Sequence, residues 1–438
     1  MTAEIVLMNR SGISLAADSA ITTGFMSVQK KFTSANKIFT LSKYNPIGIM
    51  FYNLATFMNA PWELLIKNYR SKLGEMSFPT VDDAALDFIE FLKKYPIPEE
   101  LQNELVAGNV SRYFETTRNV VTELLRKEYG EQINNISLTK TEIDPILFKY
   151  LTDESNYFEV LPNTSFSSDI TLGDFISTFN EVIAKCVSKY VAEFDSFNDS
   201  QKQIFYEISY KIFSKRFSDN YSGIVITGFG DEEIFPSLRS YIIAGKVMDK
   251  LIISDHLHDN IDITNGKSAR IYSFAQDNMA QIFTCGIDKQ YKNDLLNIHP
   301  NILRKHLSCL YTWLSDILPD DLKSKLTTKF NELETNYLHE FNKYISEYEG
   351  MTFLSPLLGI ISIMPKDELA QLAESLVSVT SLRMKVSLNN ETVGGPTDVA
   401  VISKGDGFIW IKRKHYFSPE LNSGFFMNYN RQPKQKDI

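Results

Sequence analysis

Apolar and polar residues fall into blocks whose period changes along the chain. Ile5, Val6, Leu7 and Met8 form an apolar run, Asn9 to Gly12 supply turn chemistry, and Ile13 to Ala17 form a second run. Together they predict a β-hairpin. Lys37–Leu41 and Ile47–Leu54 predict a further pair of strands, joined by Lys43-Tyr44-Asn45-Pro46. At Pro61-Trp62-Glu63 the period shifts, and a proline in the first turn opens a helix that ends near Gly74.

From about residue 80 to 220 apolar residues recur at three- and four-residue spacing, as in Ile204, Ile208, Ile212 and Phe213. Long helices are expected there, over 82–94, 99–129, 175–194 and 201–217. Strands return at Gly223–Ile226 and Tyr241–Ile243. A second helical block runs over Ile302–Tyr348, broken at Pro319, and a helix over Glu368–Met384 follows. Thr397–Ile402 and Phe408–Ile411 predict a closing strand pair around Gly405-Asp406-Gly407. Residues 428–438 are polar and expected to fray. Strands, helices, strands, helices, strands is the order of an α+β protein, with the helical blocks inserted into a simpler core.

Composition narrows the function classes. Of 438 residues, 43% are hydrophobic, enough to bury a sizeable core. A net charge of −9 argues against general nucleic-acid binding, which needs a basic surface. No run of about 18 apolar residues occurs, so no membrane span is expected. The first residues carry no secretory signal pattern, and a cytoplasmic location is the expectation. Cys186, Cys285 and Cys309 are too few and scattered for a disulfide framework.

The first candidate chemistry is at Thr2. Methionine ahead of a residue this small is normally excised, leaving an α-amine and a hydroxyl on one residue. Such an amine titrates at roughly 7.7–8.0, so it can serve as base toward the hydroxyl at neutral pH. If the first hairpin turns around Arg10 and Ser11, paired numbers sum to about 20–22 and Thr2 faces the Asp18–Ser19 region. Lys37, at the start of the next strand, can reach the same end of the sheet. A lysine there would depress the amine's pKa, and Asp18 would keep the lysine charged and oriented.

Met1-Thr2 followed by Gly12-Ile13-Ser14-Leu15-Ala16-Ala17-Asp18-Ser19 resembles the start of a mature proteasome β subunit. Asn36-Lys37-Ile38-Phe39 resembles the lysine-bearing strand of that family, and Pro61–Leu65 its first core helix. Gly223–Asp231 with Pro236-Ser237-Leu238 resembles its later strand and turn. Gly394-Gly395, Val399–Ser403 and Asp406–Trp410 resemble its closing hairpin. The matches keep the family's order and cover about half of the chain. The resemblance implies an N-terminal-nucleophile (Ntn) hydrolase fold, a four-layer αββα sandwich. It implies Thr2 as nucleophile and base, with Asp18 and Lys37 as charge partners, Ser19 in support, and neither metal nor cofactor. The implied division is a core over 1–74, 200–290 and 362–417, helical insertions over 75–199 and 291–361, and a polar tail over 418–438.

The chain departs from the family pattern at several positions. Tyr52 stands where the family places a glycine whose N–H serves the oxyanion; the N–H survives, but a bulky side chain would reshape the cleft. Asn390 replaces an aspartate and cannot supply its charge, and the family's nearby serine falls on Cys285, or on Ile287 in a slipped register. His256-Leu257-His258-Asp259 has no spaced third metal ligand and is read as an exposed loop. Gly228-Phe229-Gly230 is read as a structural turn, Cys285 as a buried thiol, and Trp313 and Ile317 as core residues, with a partner-binding groove as the alternative.

Three functions follow: a threonine hydrolase cleaving peptide or other amide bonds, a catalytically silent proteasome-like scaffold that binds partners, or a non-peptidase amidase on the same fold. A homo-oligomer is expected, a dimer or single ring more readily than a stacked barrel, because insertions of this size would obstruct stacking.

Overall fold

The computed structural model describes residues 3–25, 28–130, 140–168, 170–191, 194–215, 220–276, 278–387 and 393–430. The chain mixes helices with antiparallel sheets, in keeping with the α+β expectation. It divides into two compact units: residues 1–38, 234–236 and 260–438, and residues 39–233 and 237–259.

In chain order the first unit opens with β1 (Ala3–Asn9), β2 (Gly12–Ala17), β3 (Ile21–Phe25) and β4 (Val28–Phe32). Then come β5 (Ile38–Thr40), β6 (Ile47–Asn53), β7 (Thr56–Phe57) and β8 (Ala60–Pro61). The helices α1 (Trp62–Leu73), α2 (Val81–Lys94), α3 (Glu99–Tyr129), α4 (Lys140–Val160), α5 (Leu172–Val187) and α6 (Asp199–Ser214) follow. The second unit closes with β9 (Ser222–Gly228), β10 (Ser237–Val247) and β11 (Lys250–Asn260). The first resumes with β12 (Ala269–Ala275), α7 (Asn278–Cys285), α8 (Lys289–Ile317), α9 (Asp320–Glu349), α10 (Ser355–Ile363) and α11 (Lys366–Val386). It ends with β13 (Asp398–Ser403), β14 (Gly407–Lys412) and α12 (Ser423–Asn430), so the expected polar tail is partly helical.

The first unit's sheet runs β12-β1-β2-β13-β14. Glu4 pairs with Ala17, so paired numbers sum to 21, inside the range expected from the turn. Asn9 fixes that turn. Its Oδ1 accepts the N–H groups of Ser11 and Gly12, and its Nδ2 donates to the carbonyls of Ile361 and Met364 at the end of α10. One face of the sheet buries Ala3, Ile5, Leu7, Val399 and Val401 against Leu369, Ala370, Ala373 and Val377 of α11. The two alanines on α11 leave room for close approach of helix and sheet.

The second unit's sheet runs β11-β10-β9-β6-β5. Trp62, Phe88 and their neighbours on α1 and α2 pack on Ile49, Ile224 and Ile226. A separate, phenylalanine-rich core joins α3 to α6, with Phe114, Phe166, Phe175, Phe205 and Phe213 at its centre. Capping boxes start α2 (Thr80/Asp83), α5 (Thr171/Asp174) and α6 (Asn198/Gln201). The described residues between Val81 and Ser196 form helices and turns only.

Two readings of the sequence are corrected. His256–Asp259 is no loop but part of β11. Trp313 and Ile317 are not core residues: they are 61% and 64% exposed. Gly228 and Gly230 do act as structural glycines. A Cβ on Gly228 would stand 2.1 Å from the Pro46 carbonyl oxygen, and one on Gly230 2.2 Å from that of Pro79.

Candidate active site

Asp18 directly follows β2, and Lys37 directly precedes β5. Their side chains meet at 2.7 Å, and each is 1% exposed. The carboxylate is fully used. Oδ1 accepts the Lys37 ammonium and the Ala3 N–H at 3.0 Å, while Oδ2 accepts the N–H groups of Ala20 at 3.1 Å and Gly394 at 2.8 Å. Taking two charges out of water is costly, and such a pair persists only where the remaining lone pairs are filled. Here three backbone donors fill them. Burial pushes the Lys37 ammonium below the ordinary lysine range, while Asp18 and then Glu4 pull it back up.

The paired glycines complete this cradle. Ser19 N–H donates to the Gly394 carbonyl at 3.1 Å, and its hydroxyl donates to the Pro396 carbonyl. Gly395 has φ +81°, and a Cβ there would stand 2.9 Å from Thr33. Any side chain would therefore push apart the loops that hold Asp18. The Ser19 carbonyl accepts the Ala35 N–H at 3.1 Å, tying the segment before Lys37 to the same point.

Reasoning from the sequence missed two acidic residues here. Glu4 lies on β1 with both carboxyl oxygens buried and without a hydrogen-bond partner among the described residues. Burial, first of all, raises its pKa well above the carboxylate range; Lys37 lowers it and Asp18 raises it further. Asp398, opposite Ala17 on β13, is buried and holds Lys414 through both the backbone N–H and the ammonium. A signal for Glu4 was present: it is the lone charged residue in a strand whose seven positions are all buried.

Thr2 and Asn390 lie outside the described residues. Tyr52 is buried on β6 opposite Gly223, and its ring lies where a Cβ on Gly223 would be, 1.9 Å from the ring atom Cζ. The glycine makes room for the bulk expected at Tyr52. Cys285 ends α7 half-buried rather than buried, with Sγ 3.6 Å from the Thr284 hydroxyl. The structure thus joins Asp18, Lys37 and Ser19 in one network. His258 Nε2 lies 3.2 Å from Asp82, which also holds Arg239 in a two-pronged pair. No group of three metal-type ligands occurs among the described residues.

No protein-family model matches this chain, and no curated protein matches it. Covalent connectivity alone ties Thr2 to the site, because the nitrogen that donates to Asp18 is that of Ala3, one peptide bond from Thr2. No described helix is long and apolar enough to cross a membrane.

Proposed function

We propose that the chain is a proteasome-like Ntn hydrolase, built on the αββα sandwich with helical insertions, that cleaves peptide or other amide bonds through Thr2. The observation that carries this reading is the buried Lys37–Asp18 pair, anchored to the backbone of Ala3 beside Thr2. Once Met1 is removed, the α-amine of Thr2 takes the proton of its own hydroxyl as Oγ attacks the substrate carbonyl. The fixed charge of Lys37 disfavours the protonated amine at rest and keeps it available as base. Collapse breaks the C–N bond, the leaving amine takes the proton from the α-ammonium, and water then hydrolyses the Thr2 ester to release the acid.

The test is turnover of fluorogenic peptides and simple amides by wild type, Thr2→Ala, Thr2→Ser and Lys37→Ala in parallel. Thr2→Ala is expected to abolish turnover, and Thr2→Ser to retain part of it. Lys37→Ala should lose about 10²-fold or more, the scale of an acid–base contribution. The fold should persist in Lys37→Ala because Asp18 keeps three backbone donors. Equal activity in wild type and Thr2→Ala would end this reading. A silent, partner-binding subunit is the second reading, favoured by the exposed apolar helices of the second insertion.

A further inference from the structure

Helices α8 and α9 form an antiparallel hairpin whose seam is marked by Tyr311 against Phe330 and by His299 stacked on Phe341 at 4.2 Å. Arg304–Glu334 and Lys292–Glu349 span it, each at 2.6 Å. Each helix is about 44 Å long at 1.5 Å per residue. Yet no residue described on either helix is buried. A hairpin of this length with no buried side chain among its described residues lacks the packing that normally stabilises helices.

What it leaves in solvent is ordered. On α8 the exposed apolar residues are Tyr291, Ile298, Ile302, Leu310, Trp313 and Ile317. On α9 they are Leu322, Leu333, Tyr337, Tyr344 and Tyr348. Their spacings are those that return to one helix face, so each helix carries an apolar stripe. Counted at about 100° per residue from the seam, both stripes are displaced in the same sense by roughly a quarter to a third of a turn. Because the helices are antiparallel, that sets both stripes on one side of the hairpin.

We infer that this face is a self-association surface, on which the α8–α9 hairpin of a second copy docks to complete a four-helix bundle. Charge favours a second copy. α8 carries four Lys/Arg against two acids, and α9 carries seven acids against four lysines. A two-fold antiparallel pairing sets the basic helix of each copy against the acidic helix of the other, and the attraction is gained twice. An occupant that covers both stripes must match the hairpin in length, and the hairpin itself does. This inference does not rest on the hydrolase reading.

The test is sedimentation velocity on the full chain over a concentration series, with Trp313→Glu and the double variant Ile302→Asp/Trp313→Glu. Wild type is expected to be dimeric or larger. Trp313→Glu should weaken association by at least about thirtyfold, the scale of an aromatic hot spot. Helix content should not change, because these side chains make no core contact; a circular-dichroism spectrum checks this. Wild type that stays monomeric up to about 100 μM, where a standard-size interface is saturated, would overturn the inference and leave the face to a different protein. An oligomer of unchanged mass and affinity in the double variant would overturn it too.

Discussion

Glu4 is a carboxylic acid held in a strand interior, and neither of its carboxyl oxygens has a hydrogen-bond partner among the described residues. Its pKa in the folded chain lies above the ordinary 4.5, so the folded state binds more protons than the unfolded one above that pH. The stability contributed by this group is then full below 4.5 and is lost as pH rises through the raised folded value. Glu4→Gln keeps the shape and removes the titration. The variant should match wild type near pH 4.5 and gain on it progressively at higher pH, because only wild type loses the proton-linked stability. Thermal unfolding of both proteins across that range checks this; a constant offset in Tm would show that Glu4 does not titrate there. At this scale hairpin arithmetic brought Asp18 to the start of β1, while Lys37 was placed beside it by its position at the head of the next strand and by the family resemblance. The sequence did not disclose Asp398 or the cost at Glu4. Those depend on three strands, β1, β2 and β13, lying side by side, and β13 is nearly 400 residues from β1 in the sequence.

Elements with strong periodicity were legible to within a few residues, as with α1, α3, β13 and β14. The β10–β11 hairpin shows why others were not. Its two-residue turn is Met248-Asp249, with φ of +50° and +59°, a left-handed geometry normally announced by Asn-Gly. The far half of β11 reads Asp-His-Leu-His-Asp-Asn, polar and largely exposed, with no apolar alternation to mark a strand. α4 was missed for a related reason: Pro145 lies inside it, which reads from sequence as a break. A non-glycine residue in the left-handed region costs roughly 1–2 kcal/mol. Replacing Met248-Asp249 by Asn-Gly should therefore stabilise the protein by about 1 kcal/mol or a little more. The backbone N–H of residue 248 would still reach Gln102 Oε1, since that bond needs no side chain at 248. Denaturant unfolding of the two proteins decides it, and an unchanged or lower midpoint would mean that the Met248 side chain contributes more than the turn gains.

For the whole molecule, chemistry and assembly depend on different parts of the chain and can be separated. The proposed nucleophile requires one covalent event at the start of the chain, removal of Met1, and among the described residues the sheet begins at Ala3. An acylated nitrogen cannot act as base, since its lone pair is delocalised into the amide. A cleavable fusion partner joined directly to Thr2 should therefore leave the protein folded and without turnover. Proteolytic release with Thr2 as first residue should switch hydrolysis on, with no change of oligomeric state if the α8–α9 face governs association. Intact mass establishes which N-terminus is present, and a threonine-directed covalent inhibitor should add its mass to the released form alone. Activity before release would show that the α-amine of Thr2 is not the base. A released form that stays silent toward peptides and amides, and takes up no inhibitor, would shift the reading to a partner-binding subunit, in which the Lys37–Asp18 pair survives as a structural anchor for Ala3 and Gly394.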